Sequence, residues 1–155
     1  MKSLDRLFEL LPYGFIGLLA RIIAGLIFFR SGLTKIDLAT LSVRPATFFL
    51  FEQEYKFRLF HYFGWSGVDL PFPAPHVLAH TATGLELLMP LLLWAGFGTR
   101  IAAMFLVLQT CVIETVYPEA YVDHALWAIA LLMLMRFGSG PISVDHWLWR
   151  EREAA

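Results

Sequence analysis

Four long runs of apolar residues divide this chain, and polar or glycine-containing stretches separate them. A helix that crosses the hydrocarbon core of a bilayer needs about 20 mostly apolar residues. We therefore predict membrane spans over residues 13–34, 75–97, 101–117 and 119–137. The pattern predicts an all-α fold, an integral membrane antiparallel four-helix bundle.

Two segments outside the spans have a different pattern. Ser3 to Leu11 place apolar residues on one face and charged residues on the other, which predicts an amphipathic helix on the membrane surface. Ile36 to Pro75 interleave aromatic and charged residues. The alternation in EYKFRLFHYF also fits a strand, but this mixture beside a bilayer favours an external cap among the headgroups. A plain connecting loop and a functional lid are both consistent with it.

Composition supports a membrane protein and restricts its chemistry. The 155 residues are 58% hydrophobic and 16% charged, whereas soluble domains carry about 25% charged residues. This length predicts a single domain. The net charge of −1 gives no reason to expect a nucleic-acid partner. With one cysteine, Cys111, the chain cannot form an internal disulfide, so redox equivalents would need a cofactor or a partner.

The distribution of Lys and Arg favours an orientation with both termini in the cytoplasm. In that orientation the inner side carries six of these residues and the outer side four. The inner set is Lys2, Arg6, Arg100, Arg136, Arg150 and Arg152, and the outer set is Lys35, Arg44, Lys56 and Arg58. The segment from 37 to 75 would then face outwards.

Glu86 lies near the middle of the second span and needs a partner. A charge at that depth costs at least ~2.5 kcal/mol when nothing compensates it. At 1.5 Å per residue, Arg21 and Glu86 lie about 12 and 16 Å from the inner surface. We therefore predict that Arg21 and Glu86 form a structural ion pair that fixes the register of the first two spans.

A second polar layer is predicted near the outer face. Arg30, His80 and Glu114 lie roughly 20 to 26 Å from the inner surface, His124 enters from the outer end of the fourth span, and Lys35 lies just above. Arg30 is the expected counter-charge of Glu114, and the histidines can change protonation near neutral pH. These five residues are candidates for ligand binding or proton handling, with a quinone as one ligand class. A purely structural role is the alternative.

Other chemistry has less support in the sequence. His76 and His80 have the spacing of metal ligands on one helix face, but a third ligand is lacking, so no metal site is predicted. A haem between His80 and His124 would rest on two histidines alone. Cys111 is interpreted as a small buried packing residue.

Five separated segments of the chain form a recognisable combination. They are Arg21-x-x-x-Gly25-x-x-Phe28-x-x-Ser31-Gly32-x-x-Lys35, FFLFEQEYKF (Phe48 to Phe57), Glu86 with LLMPLLLWAGFGTR, DHALW (Asp123 to Trp127) and GSGPISVD (Gly138 to Asp145). Together these segments resemble the DoxX family of small four-helix membrane proteins. In the first segment, Gly25 and Gly32 would let a neighbouring helix approach closely. The resemblance extends from about Leu18 to Trp147, and the stretch His61 to Pro71 is longer than in similar members.

The resemblance implies a multi-pass protein of the cytoplasmic (inner) membrane. Namesake relatives are linked to the membrane subunit of a thiosulfate to quinone oxidoreductase, which implies a redox-associated subunit that works with a partner oxidoreductase and binds quinone or another small ligand. The alternative is a non-enzymatic scaffold, or a transport or assembly partner, whose loop 37–75 docks another protein. The lipid bilayer is an expected partner in both cases, and homo-oligomerisation stays open.

Overall fold

The computed structural model of the chain describes residues 12–65 and 69–153. The predicted amphipathic helix over Ser3 to Leu11 lies outside these residues. The α-helices within the described ranges are α1 (Tyr13–Lys35), α2 (Pro45–Gln53), α3 (Pro75–Ala95), α4 (Thr99–Val116), α5 (Tyr121–Phe137) and α6 (Val144–Glu153).

Four of the described helical segments are long and apolar enough to cross a membrane. They are Tyr13–Lys35, Pro75–Ala95, Thr99–Val116 and Pro118–Phe137, where the last joins a short 3-10 turn to α5. Each begins and ends within two residues of its predicted span. In the bundle α1 packs against α3 and α5, and α4 packs against the same two helices. The prediction of an all-α membrane fold is confirmed.

The bundle packs closely because small residues line its interior. Its core cluster includes Ala24, Ala102 and Ala103 together with larger aliphatic side chains. Between α1 and α3, a Cβ atom on Gly25 would lie 2.2 Å from Nε1 of Trp94, and one on Gly32 would lie 2.9 Å from a methyl carbon of Leu87. These glycines allow the close helix contact that their spacing predicts. Large apolar side chains instead cover the outward faces, as expected where lipid is the solvent.

A tight turn between α3 and α4 closes one end of the bundle. Gly96 and Gly98 have φ angles of 67° and 58°, a left-handed conformation that costs glycine little. The carboxylate of Asp145 accepts hydrogen bonds from the backbone N–H groups of Gly98 (2.8 Å) and Thr99 (3.0 Å), which begin α4. We call this the turn end. It is held by Asp145, the last residue of the GSGPISVD segment.

The segment between α1 and α3 folds over the opposite end, which we call the loop end. It contains α2, a 3-10 turn (Leu59–Phe63) and two small antiparallel pairings, β1 (Ile36–Asp37) with β2 (Ser42–Val43), and β3 (Lys56–Phe57) with β4 (Leu70–Pro71). The N–H of Arg58 donates to the carbonyl of Thr115 over 2.7 Å, which fastens the segment to the end of α4. Within EYKFRLFHYF, β3 is the only strand.

Candidate functional site

A cavity of about 440 Å³ lies at the loop end, where α1 faces α5. Its polar lining comprises Ser31, Lys35, Tyr55, Glu86, Tyr117, Glu119 and His124. Its apolar lining includes Phe28 from α1, Ile113 from α4 and Trp127 from α5. Every spanning helix and the folded loop therefore contribute to one partly enclosed space.

The carboxylate of Glu86 is fully buried and receives two partners. Nζ of Lys35 lies 2.5 Å from its Oε2, and Nε2 of Gln109 donates to its Oε1 over 2.7 Å. Lys35 also donates to the hydroxyl of Ser31 over 2.7 Å. Thus α1, α3 and α4 meet at one charged centre whose ammonium group and carboxylate line the cavity.

The predicted ion pair between Arg21 and Glu86 is wrong. Arg21 is buried at the turn end, where one guanidinium nitrogen donates to the carbonyl of Ile142 over 2.6 Å. Its other two nitrogens have no hydrogen-bond partner among the described residues. The predicted depths assume that α1 and α3 begin at the same level in the membrane. In the structure Gly25 of α1 lies beside Trp94, which is almost the last residue of α3, so the two helices are staggered. Arg21, about 6 Å earlier along α1, therefore lies beside the turn at Gly96, where α3 has already ended.

Glu114 and His124 lie together, as the predicted polar layer requires, but Glu114 has other partners than expected. Nδ1 of His124 lies 2.5 Å from one carboxylate oxygen of Glu114. The hydroxyl of Tyr62, from the loop, donates to the other oxygen and also lies within 3.0 Å of the carbonyl of Pro118. Arg30, the expected counter-charge, is exposed and forms no ion pair with any described residue. It lies on the outward face of α1.

His80 is also outside the cavity lining. Its ring is exposed, lies 5.0 Å from the ring of Phe48, and places Nδ1 2.8 Å from the carbonyl of His76. His76 in turn pairs with Glu52 over 2.8 Å. Among the described residues, no group of three or more His, Cys, Asp and Glu side chains could hold a metal ion. Of the five predicted ligand or proton-handling residues, Lys35 and His124 line the cavity, and Glu114 is hydrogen-bonded to His124.

Cys111 was expected to be buried, and the structure corrects this. Its side chain is exposed on the outer face of α4. Gln109 and Thr110 lie on the buried face of α4 instead.

Sequence reasoning missed several polar residues of the site. Gln109 could have been identified, because an amide within an apolar run indicates a polar contact inside the bundle. The tyrosines carried no signal beyond the aromatic character of the loop.

Burial raises the pKa of Tyr55, and the charge of Glu86 adds to this effect, so the phenol stays protonated at neutral pH. Burial likewise raises the pKa of Tyr117. The hydrogen bond to Glu114 raises the pKa of Tyr62 to about 12.

The cavity can present both hydrogen-bond donors and a proton-exchanging group to a small molecule. Lys35 uses two of its three N–H groups for Glu86 and Ser31, so one N–H group can donate to a ligand, and the protonated Tyr55 supplies an O–H group. His124 has one ring nitrogen held by Glu114, while Nε2 forms no hydrogen bond with the described residues. A polar head with oxygen acceptors fits these groups, and the apolar lining, which includes Phe28 and Trp127, can contact an apolar ring.

Comparison with known proteins identifies a family for this chain. No curated protein and no solved structure matches the chain. The family model DoxX matches residues 16–118, which contain most of α1, the segment between α1 and α3, and the whole of α3 and α4. This match extends over more than half of the 155 residues and includes Lys35, Glu86 and Glu114. Within residues 12–65 and 69–153 four helices are long and apolar enough to span a bilayer, and the chain therefore is a membrane protein that belongs to the DoxX family.

Proposed function

We propose that this DoxX-family protein is a redox-associated membrane subunit that binds a quinone, or another small molecule with a polar head, in the cavity at the loop end. The observation that carries the proposal is the convergence of Lys35, Glu86 and His124 on one cavity with apolar walls. A bound quinone would supply reversible two-electron chemistry. The residues of this chain would bind it, orient it and exchange protons with it.

The charged centre favours a ligand with oxygen acceptors. Glu86 holds Lys35 in place, so the ammonium group is positioned before a ligand arrives. Side-chain exposures of 10% and 1% for the pair mean that little water screens it. A carbonyl oxygen near Lys35 or Tyr55 would therefore receive a hydrogen bond of more than ordinary strength.

His124 is the candidate for proton exchange. Glu114 fixes the ring through Nδ1, which leaves Nε2 as the nitrogen that faces no protein partner among the described residues. The side chain of His124 is 6% exposed, whereas that of Glu114 is 26% exposed and is held by Tyr62 at the surface. The pair thus joins the cavity to the aqueous side, and Glu114 is a positioning residue for His124.

The cellular setting completes the proposal. We place the protein in the cytoplasmic membrane with both termini inside, from the bias of Lys and Arg, so the loop end faces outwards. The redox centre would belong to a partner oxidoreductase, because a single exposed cysteine gives this chain no dithiol of its own. The external segment 37–75 is the proposed contact for that partner.

Quinone retention tests the proposal. The protein is purified in lipid nanodiscs from native membranes, and the quinone extracted per protein is measured for wild type, His124→Gln and His80→Gln. His80→Gln is the matched control, because His80 is a surface histidine outside the cavity. We expect wild type and His80→Gln to retain quinone above empty nanodiscs, and His124→Gln to lose at least most of it. Quinone at the level of empty nanodiscs, or equal retention by all three proteins, would refute the assignment.

The scaffold alternative is supported by a different observation. Phe49, Phe63 and Trp65 on the loop are 66%, 72% and 63% exposed. Exposed aromatic side chains are typical of protein and membrane interfaces. Photo-crosslinking from position 63 in native membranes separates the two functions. A captured oxidoreductase together with retained quinone supports the redox subunit, and a captured protein without quinone supports the scaffold.

A further inference from the structure

A large cavity opens at the turn end of the bundle. It has a volume of about 750 Å³, within the range of about 300–1,000 Å³ that is typical of small-molecule sites. The start of α4, the end of α5 and the segment that joins α5 to α6 form its walls. None of its lining residues belongs to the cavity at the loop end. We call it the turn-end cavity.

Arg100 gives the turn-end cavity an accessible positive charge. Its side chain is exposed and lines the cavity. The guanidinium group lies over Gly138, where a Cβ atom would be 3.6 Å from Nε and 3.8 Å from Nη2 of Arg100. Arg100 forms no ion pair with any described residue, and the side-chain hydrogen bonds at this end do not involve it. Its charge and its N–H donors are therefore available to an anion.

Two further side chains strengthen this positive character. Arg136, in the last turn of α5, is exposed and also forms no ion pair with a described residue. Its guanidinium carbon lies 5.5 Å from the centre of the Phe137 ring, which lines the cavity. The exposed imidazole of His146 lines the cavity as well and adds a hydrogen-bonding group.

One carboxylate, that of Asp145, lines the cavity, and its charge is already offset. Its two oxygens accept the backbone N–H groups that begin α4. The buried cation Arg21 lies behind it, because both residues are next to Gly96: a Cβ atom there would be 2.3 Å from Nη1 of Arg21, and the N–H of Asp145 donates to the carbonyl of Gly96 over 2.9 Å. Among the described side chains of the turn end, Arg100 and Arg136 therefore remain as excess positive charge.

The apolar part of the lining faces the bilayer. Ile101 and Phe137 line the cavity and are 60% and 58% exposed, and both belong to membrane-spanning segments. Arg100 is the second residue of α4 and Phe137 is the last residue of α5, so the cavity lies where the spans end and the lipid headgroups begin. The cavity thus joins cations at the level of the headgroups to apolar surface at the edge of the hydrocarbon.

From this arrangement we propose that the turn-end cavity is a binding site for an anionic phospholipid. The phosphate pairs with the guanidinium group of Arg100, whose planar N–H groups suit two phosphate oxygens at once. The acyl chains leave along Ile101 and Phe137. Basic pockets at the ends of spanning helices bind anionic headgroups by the same combination of charges and apolar walls. A soluble phosphate ester would satisfy Arg100 but would leave the apolar walls uncovered.

Two lipids with the same acyl chains test the proposal. Dioleoyl phosphatidylglycerol carries a net negative charge, and dioleoyl phosphatidylcholine carries none. The full-length protein is titrated with each lipid in detergent micelles, and the bound fraction is measured by native mass spectrometry. A basic residue near the membrane surface contributes about five-fold to the affinity for an anionic lipid. With two such residues, we expect wild type to bind phosphatidylglycerol roughly ten- to thirty-fold more tightly than phosphatidylcholine.

Three variants locate the effect. Arg100→Gln should lower the affinity for phosphatidylglycerol about five-fold and should leave phosphatidylcholine binding unchanged. Arg30→Gln is the matched control, because Arg30 is also exposed and forms no ion pair with a described residue but lines neither cavity. It should change the preference by less than about two-fold. His124→Gln should keep the full preference, which separates this site from the proposed quinone cavity.

Three results would overturn the proposal. Equal binding of the two lipids to wild type would show that the cavity does not select an anionic headgroup. An equal loss of preference in Arg30→Gln and Arg100→Gln would show a general attraction between the protein and charged lipid, with no defined site. Displacement of phosphatidylglycerol by an excess of glycerol 3-phosphate would make a soluble phosphate ester the ligand, whereas we expect no displacement.

Discussion

The ion pair of Lys35 with Glu86 gives the most direct test of the structure. Lys35→Met removes the ammonium group and leaves a fully buried carboxylate with Gln109 as its remaining partner. Removal of one member of a buried pair typically costs about 3–5 kcal/mol, because the other charge stays buried without compensation. We expect Lys35→Met to lower the free energy of unfolding by that amount.

The reverse substitution should cost less. In Glu86→Leu, Lys35 keeps its bond to the hydroxyl of Ser31 and lies at the end of α1, where its long side chain can reach water. We expect a loss of about 1–3 kcal/mol, the penalty of an incompletely paired polar group. The double variant replaces both charges by apolar groups, so it should recover to within ~1 kcal/mol of wild type. The resulting coupling energy is at least about 3 kcal/mol, at or above the upper end of the usual range for residues in contact.

Equilibrium unfolding in mixed micelles, followed by circular dichroism, measures these values. Arg21→Met combined with Glu86→Leu is the control cycle. Arg21 lies about 21 Å from Lys35 along α1 and contacts the turn end instead. Its effect should therefore add to that of Glu86→Leu within ~0.5 kcal/mol. Additive effects for Lys35 with Glu86, or strong coupling for Arg21 with Glu86, would refute the register of α1 on α3.

Two further outcomes follow from contacts at the other helices and at the loop. Gly25→Leu should destabilise the bundle by about 1–3 kcal/mol in the same unfolding assay, because the new Cβ would overlap Trp94; Gly84→Ala, with open space at its Cβ, should not destabilise it. Tyr62 should titrate near pH 12 by ultraviolet absorbance, and Glu114→Gln should bring its pKa down towards its usual value of about 10. Because the folded-state pKa is raised, the contribution of this contact to stability is present below pH ~10 and is lost as the pH rises towards 12. An unchanged Tyr62 titration in Glu114→Gln would show that the hydrogen bond is not its cause.

The spans were predictable because length and apolar content alone define them. Each predicted span agrees with a helix to within two residues, since lipid leaves few alternatives to a helix of that length. The close approach at Gly25 and Gly32 was also predictable from their spacing on one face of α1.

The partners of the buried charges could not be predicted from the estimated depth of each residue in the membrane. The depth count treated the inner ends of α1 and α3 as level, but their stagger depends on the contact of Gly25 with Trp94, which a one-dimensional count does not contain. As a result, Glu86 was assigned to Arg21 and not to Lys35. Glu114 was misassigned for a related reason, because its partner Tyr62 comes from a loop whose fold the sequence pattern left open.

The 51-residue separation of Lys35 from Glu86 has a consequence for biogenesis. During synthesis α1 leaves the ribosome well before Glu86 is made. Until then we expect Lys35 to lie at the lipid–water boundary, because a lysine at a helix end can keep its ammonium group in water at little cost in free energy. Glu86 cannot stay in water in this way, because it lies in the middle of α3, which must enter the hydrocarbon. We expect α3 to enter the bilayer beside α1, and the ammonium group of Lys35 to favour that insertion by pairing with Glu86.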